Sequence, residues 1–550
     1  MRRLIHGSAK EDNVTPKKLS RRQFVAGSLA TGVGISVAGQ VQTVPADGGS
    51  SSPVRVDILT DEVIGTINPN IYGHFIEHLG HVIYDGIWVG VNSKIPNING
   101  IRKELVEAFR EVKPPIIRWP GGCFADAYHW EDGVGPRDHR PRRYGRWSDA
   151  TEPNAFGTHE FMEFCRLVGA EPYFTANVGT GDAEEFQRWM EYCNCPPGLD
   201  ATTLAEMRRK NGSKDPFRVK VWGIGNEAWG CGGNMTPEYY CDLFRRFTTW
   251  VPGYGVPLFF IGSGPSGNDL NWTNRFFTHW QQFSRAPIQG WSIHYYCGNA
   301  GDAIHYTEDQ WYQQLKQATY MEQIVTDQAA TLDRFDPEHR IGLVVDEWGA
   351  WHPAGSELNK GFELQSPETI RDALVAALTL NIFNRHSDRV VMASPAQLVN
   401  CLQSLFNTGG PEFVKTPNFD VFKMYAGHQG ATALRTEIQA GDISFDGGKD
   451  SLPQLSGSAS RKDGRLLLTV ANVEVRRPAE IEVQLLGETK MTRVRETSLA
   501  AGDIHDYNNY SNPDRVRAKT GDWKPVGGDR YRTALPPASV NALEIAMGAS

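Results

Sequence analysis

Eight apolar runs, each bounded by Gly, Pro or polar residues and separated by helix-patterned segments, restrict what this chain can fold into. They are Ile71 to Phe75, Pro115 to Gly122, Glu171 to Gly179, Lys220 to Glu227, Leu258 to Gly264, Gly290 to Tyr296, Ile341 to Glu347 and Val390 to Ala396. Amphipathic stretches such as Ile101 to Val112, Thr158 to Val168, Thr236 to Trp250 and Glu368 to Arg385 lie between them. Thr236-Pro237-Glu238 and Ser366-Pro367-Glu368 read as helix starts: a capping hydroxyl, Pro at the first helical position and an acid favoured by the helix dipole. Continuous apolar strands alternating with helices mean an α/β architecture, a parallel sheet covered by helices. Eight such units close into a (β/α)8, or TIM, barrel.

At 550 residues the chain has room for that barrel and a smaller module. From about Val421 the texture changes to short β-rich segments, such as Gly464 to Val470 and Ile481 to Leu486, separated by Gly, Asp and Asn turns. The expected order is therefore a leader over residues 1–46, a linker and first strand over 47–66 that joins the β-domain, a barrel over 67–420 and a β-sandwich over 421–550. The leader reads as a twin-arginine export signal: Ser20-Arg21-Arg22-Gln23-Phe24-Val25, then a mildly apolar run from Ala26 to Ala38, with cleavage after Ala38 or Ala46. That reading places the mature protein in the periplasm or outside the cell. No later stretch has the roughly 18 uncharged apolar residues of a membrane helix.

A formal net charge of -8 with 22% charged residues asks for neither nucleic acid nor an anionic membrane as partner. The 15 tryptophans suit a protein that stacks on sugar rings, although most Trp side chains are core. Eight cysteines are sparse, and mostly reduced, buried thiols are expected. Cys193-x-Cys195 lacks a second pair at metal-site spacing, so no metal site is expected.

Barrel chemistry sits where strands end. The polar residues there are Glu77, Arg118 and Cys123, Asn177, Asn226 and Glu227, Ser263, His294 and Tyr296, Glu347, and Gln397. Desolvating each without a partner costs on the order of 1 to 3 kcal/mol, and a sugar supplies such partners. Glycoside cleavage needs one acid to protonate the leaving oxygen and one carboxylate on the other side of the anomeric carbon. Glu227 and Glu347 close two strands three or four units apart and so face each other across the mouth. A separation of about 5 to 5.5 Å would mean retention of configuration. Asp346 precedes Glu347, and because strand neighbours point to opposite faces, only Glu347 is expected to look inward. His294 and Tyr296 share a face, Tyr296 to hold the nucleophile and His294 to support the acid/base.

Ile71-Tyr72-Gly73-His74-Phe75-Ile76-Glu77-His78-Leu79-Gly80, Arg118-Trp119-Pro120-Gly121-Gly122, Gly225-Asn226-Glu227 and Asp346-Glu347-Trp348-Gly349 resemble glycoside hydrolase family 51 from about residue 54 to the end. The resemblance implies an exo-acting α-L-arabinofuranosidase with a two-step retaining mechanism, Glu227 as acid/base and Glu347 as nucleophile. It implies a sugar pocket of Glu77, Cys123, Asn226, Tyr296 and Gln397, with Arg118 and His294 in support; Cys123 stands where many members have Asn. It further implies a jelly-roll-like C-terminal domain without a catalytic role, no metal or organic cofactor, an arabinose-containing polysaccharide or oligosaccharide as partner, and a hexamer. Residue physics alone does not tell a furanose from a pyranose, so a hydrolase of β-xylosides or β-1,4-glucans is the nearest rival reading. A non-catalytic carbohydrate-binding barrel is the rival from another class.

Overall fold

The computed structural model of this protein describes residues 52–145, 151–196, 202–283, 286–362, 364–487 and 490–548. The leader reading over residues 1–46 lies outside them. The first strand, β1 (Val54–Thr66), belongs to the second sheet; the eight apolar runs then become β2 (His74–Phe75), β3 (Ile116–Trp119), β4 (Glu171–Ala176), β5 (Val221–Ile224), β6 (Phe259–Gly262), β7 (Gly290–Gly298), β8 (Gly342–Trp351) and β9 (Val390–Pro395). From β3 to β9 each strand pairs in parallel with its predecessor in the chain. The two end strands meet where Leu398 N, just past β9, donates to Phe75 O at 2.9 Å, so the sheet is a nearly closed barrel.

Inside the barrel, Ile116, Tyr173, Val221, Ile261, Val344 and Met392 from six strands form a small buried layer of their own. Outside it the core is aromatic: Trp119 stacks on Phe161 of the helix Thr158–Val168, and Phe174 and Trp222 pack around Trp189 of the helix Ala183–Asn194. Six tryptophans, Trp119, Trp130, Trp222, Trp291, Trp311 and Trp348, are wholly buried, so much of the Trp content serves packing. The helix Pro237–Thr248 starts as the sequence suggests, with Thr236 accepting from Tyr239 N and Pro237 in the first turn. The helix Ile370–Arg385 starts later than its Pro suggests. Its cap is Thr369, which accepts from Arg371 N while Asp372 Oδ2 accepts from Thr369 N, and Glu368 turns inward, wholly buried, at φ +57°.

The second sheet has ten strands around its own core, which includes Val56, Ile58, Leu468, Val470, Ile481, Val483 and Ile545. β1 lies between Thr432–Ile438, antiparallel, and Ala479–Leu486, parallel. The helix Pro417–Tyr425 spans the point where the sequence texture changes, and the remaining strands of this sheet run from Thr432. No helix among the described residues is long and apolar enough to cross a membrane.

Candidate active site

β5 ends in the turn Gly225-Asn226-Glu227, which aims Glu227 over the barrel mouth. Gly225 has φ +78°, and a Cβ there would sit 2.4 Å from Val178 Cγ2. Glu227 itself has φ +40°, a left-handed conformation costly for a residue with a Cβ. The surroundings hold the turn in place: Asn226 N donates to Asp126 Oδ2 at 3.0 Å, and Ala228 N donates to Ser263 Oγ at 3.1 Å. Asp126 also accepts from Val178 N at 3.0 Å, so one buried carboxylate ties the ends of β4 and β5 together.

Glu347 stands on β8, fully buried, and accepts from Arg118 Nη1 at 3.0 Å and from the Tyr296 hydroxyl at 2.7 Å. Two donors fix both of its oxygens. Between the Ser292–Val344 and His294–Glu347 pairs, β7 advances two residues and β8 three; the same extra residue appears against β9, between the Val345–Ala393 and Trp348–Pro395 pairs. This β-bulge overturns the expectation that only one of Asp346 and Glu347 faces inward, because a bulge breaks the alternation of the pleat. Asp346 points into the barrel too, one layer below. It accepts from the Tyr173 hydroxyl at 2.7 Å and the Ser292 hydroxyl at 2.5 Å, and pairs with His294 Nε2 at 3.2 Å and Arg118 Nε at 3.4 Å.

His294 joins all three carboxylates. Its Nδ1 lies 3.0 Å from Glu227 Oε1 and 3.6 Å from Glu347 Oε2, and its Nε2 faces Asp346. Burial by itself would lower the imidazole pKa, but Glu347, Asp346 and Glu227 outweigh it and hold His294 up at about 10. Burial would likewise raise Asp346, but Arg118 and His294 hold its carboxyl well below the usual carboxylate range. Two cations and two carboxylates, Asp346 and Glu347, thus neutralise one another under the mouth. An oxygen of Glu227, a nitrogen of His294 and an oxygen of Glu347 all lie within 4.8 Å of one another.

Around this centre Arg118 Nη2 donates to Asn226 Oδ1 at 2.5 Å, so one guanidinium holds both this amide and Glu347. Glu77 accepts from Phe124 N at 2.9 Å and from Gln397 Nε2 at 3.0 Å, which joins the loops after β2, β3 and β9. Gly121 and Gly122 leave room for these acids: a Cβ would come within 2.5 Å of Glu77 Cγ at the first and 2.4 Å of Glu347 Oε1 at the second. Asn177 and Ser263 have local work instead, since Asn177 Oδ1 accepts from Gly179 N and Thr180 N and Ser263 caps the Glu227 turn.

Cys123 differs from its expected form. It is disulfide-bonded to Cys231, so it has no thiol proton to offer a sugar. The expectation of mostly reduced thiols stands for the other six cysteines, all buried and outside any disulfide. Cys231 was not among the sequence candidates, nor were Asp126, Tyr173, Ser292 and Asp346 in an inward role. The available signal for Cys231 was its place in Trp229-Gly230-Cys231-Gly232-Gly233, four residues beyond Glu227 in a turn that must fold back. Among the described residues two groups have a ligand spacing suited to a cation: Cys123, Glu227 and Cys231, and Glu227, His294 and Glu347. A metal needs an imidazole lone pair, and the raised pKa of His294 opposes that in the second group.

Comparisons with known proteins identify what the chain is similar to. Residues 108–254 match the family model described as alpha-L-arabinofuranosidase 1 domain, and residues 346–539 match the alpha-L-arabinofuranosidase C-terminal domain. The chain is 38% identical over 498 residues, 89% of its own length and 95% of the relative's, to an intracellular exo-alpha-L-arabinofuranosidase of Bacteroides ovatus. Among solved structures it resembles the GH51 arabinofuranosidase of Xanthomonas axonopodis pv. citri, with TM-score 0.85, 38% identity and coverage of 90% of this chain and 99% of that one. It also resembles the alpha-L-arabinofuranosidase of Thermotoga maritima in its arabinose complex, with TM-score 0.78, 29% identity and coverage of 89% and 99%. The Bacteroides relative corrects the export reading: a protein matched over nearly its whole length is intracellular, and the Arg21-Arg22 pair, common in any basic tail, does not establish a signal.

Proposed function

The chain belongs to glycoside hydrolase family 51, the α-L-arabinofuranosidases, and from that premise we propose that it releases terminal α-L-arabinofuranosyl residues from arabinan- or arabinoxylan-type glycans with retention. The observation that carries this reading is the meeting of Glu227 and Glu347, with oxygens within 4.8 Å of each other and His294 Nδ1 facing both. Retaining glycosidases hold their two carboxyl groups about 5 to 5.5 Å apart, whereas inverting ones leave room for a water at roughly 6.5 Å or more.

In the first step Glu347, fixed by Arg118 and Tyr296, attacks the anomeric carbon. The bond to the leaving oxygen breaks, and Glu227 gives that oxygen its proton. A glycosyl ester on Glu347 results. In the second step Glu227 takes a proton from water, the water oxygen attacks the same carbon, and the ester bond returns its electron pair to Glu347. His294 orients the Glu227 carboxyl through Oε1 and offsets negative charge between the two acids. Asn226, held by Arg118, binds a hydroxyl beside the cleaved bond, and Glu77, held by Gln397, binds another part of the same sugar. The joined loops after β2, β3 and β9 support a pocket for one terminal sugar.

The test is turnover of nitrophenyl α-L-arabinofuranoside. Glu347→Gln should lose several orders of magnitude in kcat, since no ester can form. Glu227→Ala should keep the first step on this activated leaving group and stall in the second, and azide should restore turnover by attacking the ester without base help. Full activity of Glu347→Gln, or hydrolysis of a xyloside or cellooligosaccharide with the arabinofuranoside inert, would overturn the assignment.

A further inference from the structure

The Cys123–Cys231 disulfide lies against the carboxyl group assigned above as acid/base. Cys231 Sγ is 3.2 Å and Cys123 Sγ 3.6 Å from Glu227 Oε2, while the other oxygen, Oε1, is taken by His294. Asn226 aims its amide Nδ2 at both sulfurs, 3.9 Å from Cys123 Sγ and 3.8 Å from Cys231 Sγ. Cys123 is buried and Cys231 half-buried, so an external reductant meets the Cys231 side of the bond. The two Cα atoms are 5.6 Å apart.

We propose that reducing this disulfide creates a binding site for a soft divalent cation such as Zn2+, with Cys123, Cys231 and Glu227 Oε2 as ligands, and that the bound cation shuts off hydrolysis. A dithiol supplies two electrons and two protons; the S–S bond breaks, two thiols form, and the dithiol closes to its own disulfide. Binding of Zn2+ then releases both thiol protons to solvent. Tetrahedral zinc with thiolates at about 2.3 Å and a carboxylate oxygen at about 2.1 Å sets each S···O separation near 3.6 Å and S···S near 3.8 Å. Cys123 Sγ already stands at that distance from Oε2 and Cys231 Sγ, at 3.2 Å, slightly inside it, so the S–S bond has to open and Cys231 Sγ to draw back a little. The Asn226 amide protons support both thiolates, as outer-shell donors do at metal sites. Two thiolates and one carboxylate leave a fourth position for water, and the cation need not displace His294.

A carboxylate that ligates a cation cannot hold the proton the leaving oxygen needs, so the inhibition rests on the acid/base reading of Glu227. The binding does not. The protein is prepared oxidised, and also reduced with dithiothreitol and desalted; each form is titrated with Zn2+ against a chromophoric chelator and, separately, with Co2+. The reduced protein should take up one additional Zn2+ per chain, show sulfur-to-cobalt charge-transfer absorption, and lose at least tenfold in nitrophenyl arabinofuranoside turnover, with recovery on EDTA. Cys231→Ser should abolish the extra site, which separates it from the other buried cysteines, and reduced Glu227→Gln should bind at least tenfold more weakly. Equal uptake by oxidised and reduced protein, uptake unchanged in Cys231→Ser, or a cobalt spectrum without thiolate character would overturn the proposal. If no form hydrolyses the arabinofuranoside but the extra site appears, the metal site stands and the functional reading falls.

Discussion

Asp346 is the counter-ion that lets two cations, Arg118 and His294, sit under Glu347. It touches both Arg118 and His294, and no sugar has to reach it. In Asp346→Asn the shape survives but the charge does not, and breaking a buried ion pair by removing one partner costs on the order of 3 kcal/mol. The effect carries a pH signature. His294 is held at about 10 against its ordinary 6.5, so in the native protein its contribution is fully present below pH 6.5 and is lost as pH rises toward 10. Without Asp346 the folded value drops, so the loss still begins near pH 6.5, where the unfolded imidazole titrates, but is complete at a lower pH. Melting temperatures of the two proteins should therefore both decline as pH rises from 6 to 10, with Asp346→Asn lower at pH 6 and its decline levelling off at a lower pH than in the native protein. Parallel curves that level off at the same pH would mean that Asp346 does not set the charge of His294.

The elements that carry the site do so by close approach. Gly122 follows β3 at a point where a Cβ would come 2.4 Å from Glu347 Oε1. Gly122→Ala must push either the loop or the Glu347 carboxyl, and if Glu347 is the nucleophile proposed above, a displacement of about 1 Å can cost about 100-fold in rate. A fall of about that size in kcat/KM with an unchanged melting temperature is the expected result; wild-type kinetics would show that the loop gives way harmlessly. The sequence made β2 to β9 readable because parallel strands buried on both faces are apolar runs closed by a polar residue. It also made Glu227, Glu347, His294 and Tyr296 readable, since each ends or lines such a run. It hid Asp346, because the β8 bulge arises from register against β7 and β9, which no single run encodes. It hid the Cys123–Cys231 contact for a related reason: 108 residues separate the two, and their meeting depends on how two loops fold over the mouth. Thr369 took the cap expected of Ser366 because burial of Glu368 overrode the local Pro signal.

At the scale of the whole molecule, the helix Ile370–Arg385 joins the barrel to the second sheet, and its chemistry predicts that the two unfold together. Nearly every side chain along it is buried, including the polar ones, which a helix covering only one face of a barrel would leave in water. Asn381 Oδ1 accepts from the Thr469 hydroxyl at 2.8 Å and the Ser458 hydroxyl at 2.9 Å, and its Nδ2 donates to Ser456 O at 3.1 Å. Asn384 donates to Ser458 Oγ at 3.0 Å while accepting from the Tyr72 hydroxyl on the barrel side at 2.9 Å. Asn381→Ala leaves buried groups of the sheet unsatisfied, at about 1 to 3 kcal/mol each. The melting temperature should drop by several degrees with KM unchanged, because the barrel mouth is not touched. Calorimetry of this variant should still give one transition, since the remaining apolar contacts of the helix continue to couple the two parts. A second, lower transition carrying the enthalpy of the sheet alone would show that the hydrogen bonds of Asn381, and not the apolar packing, make the molecule a single cooperative unit.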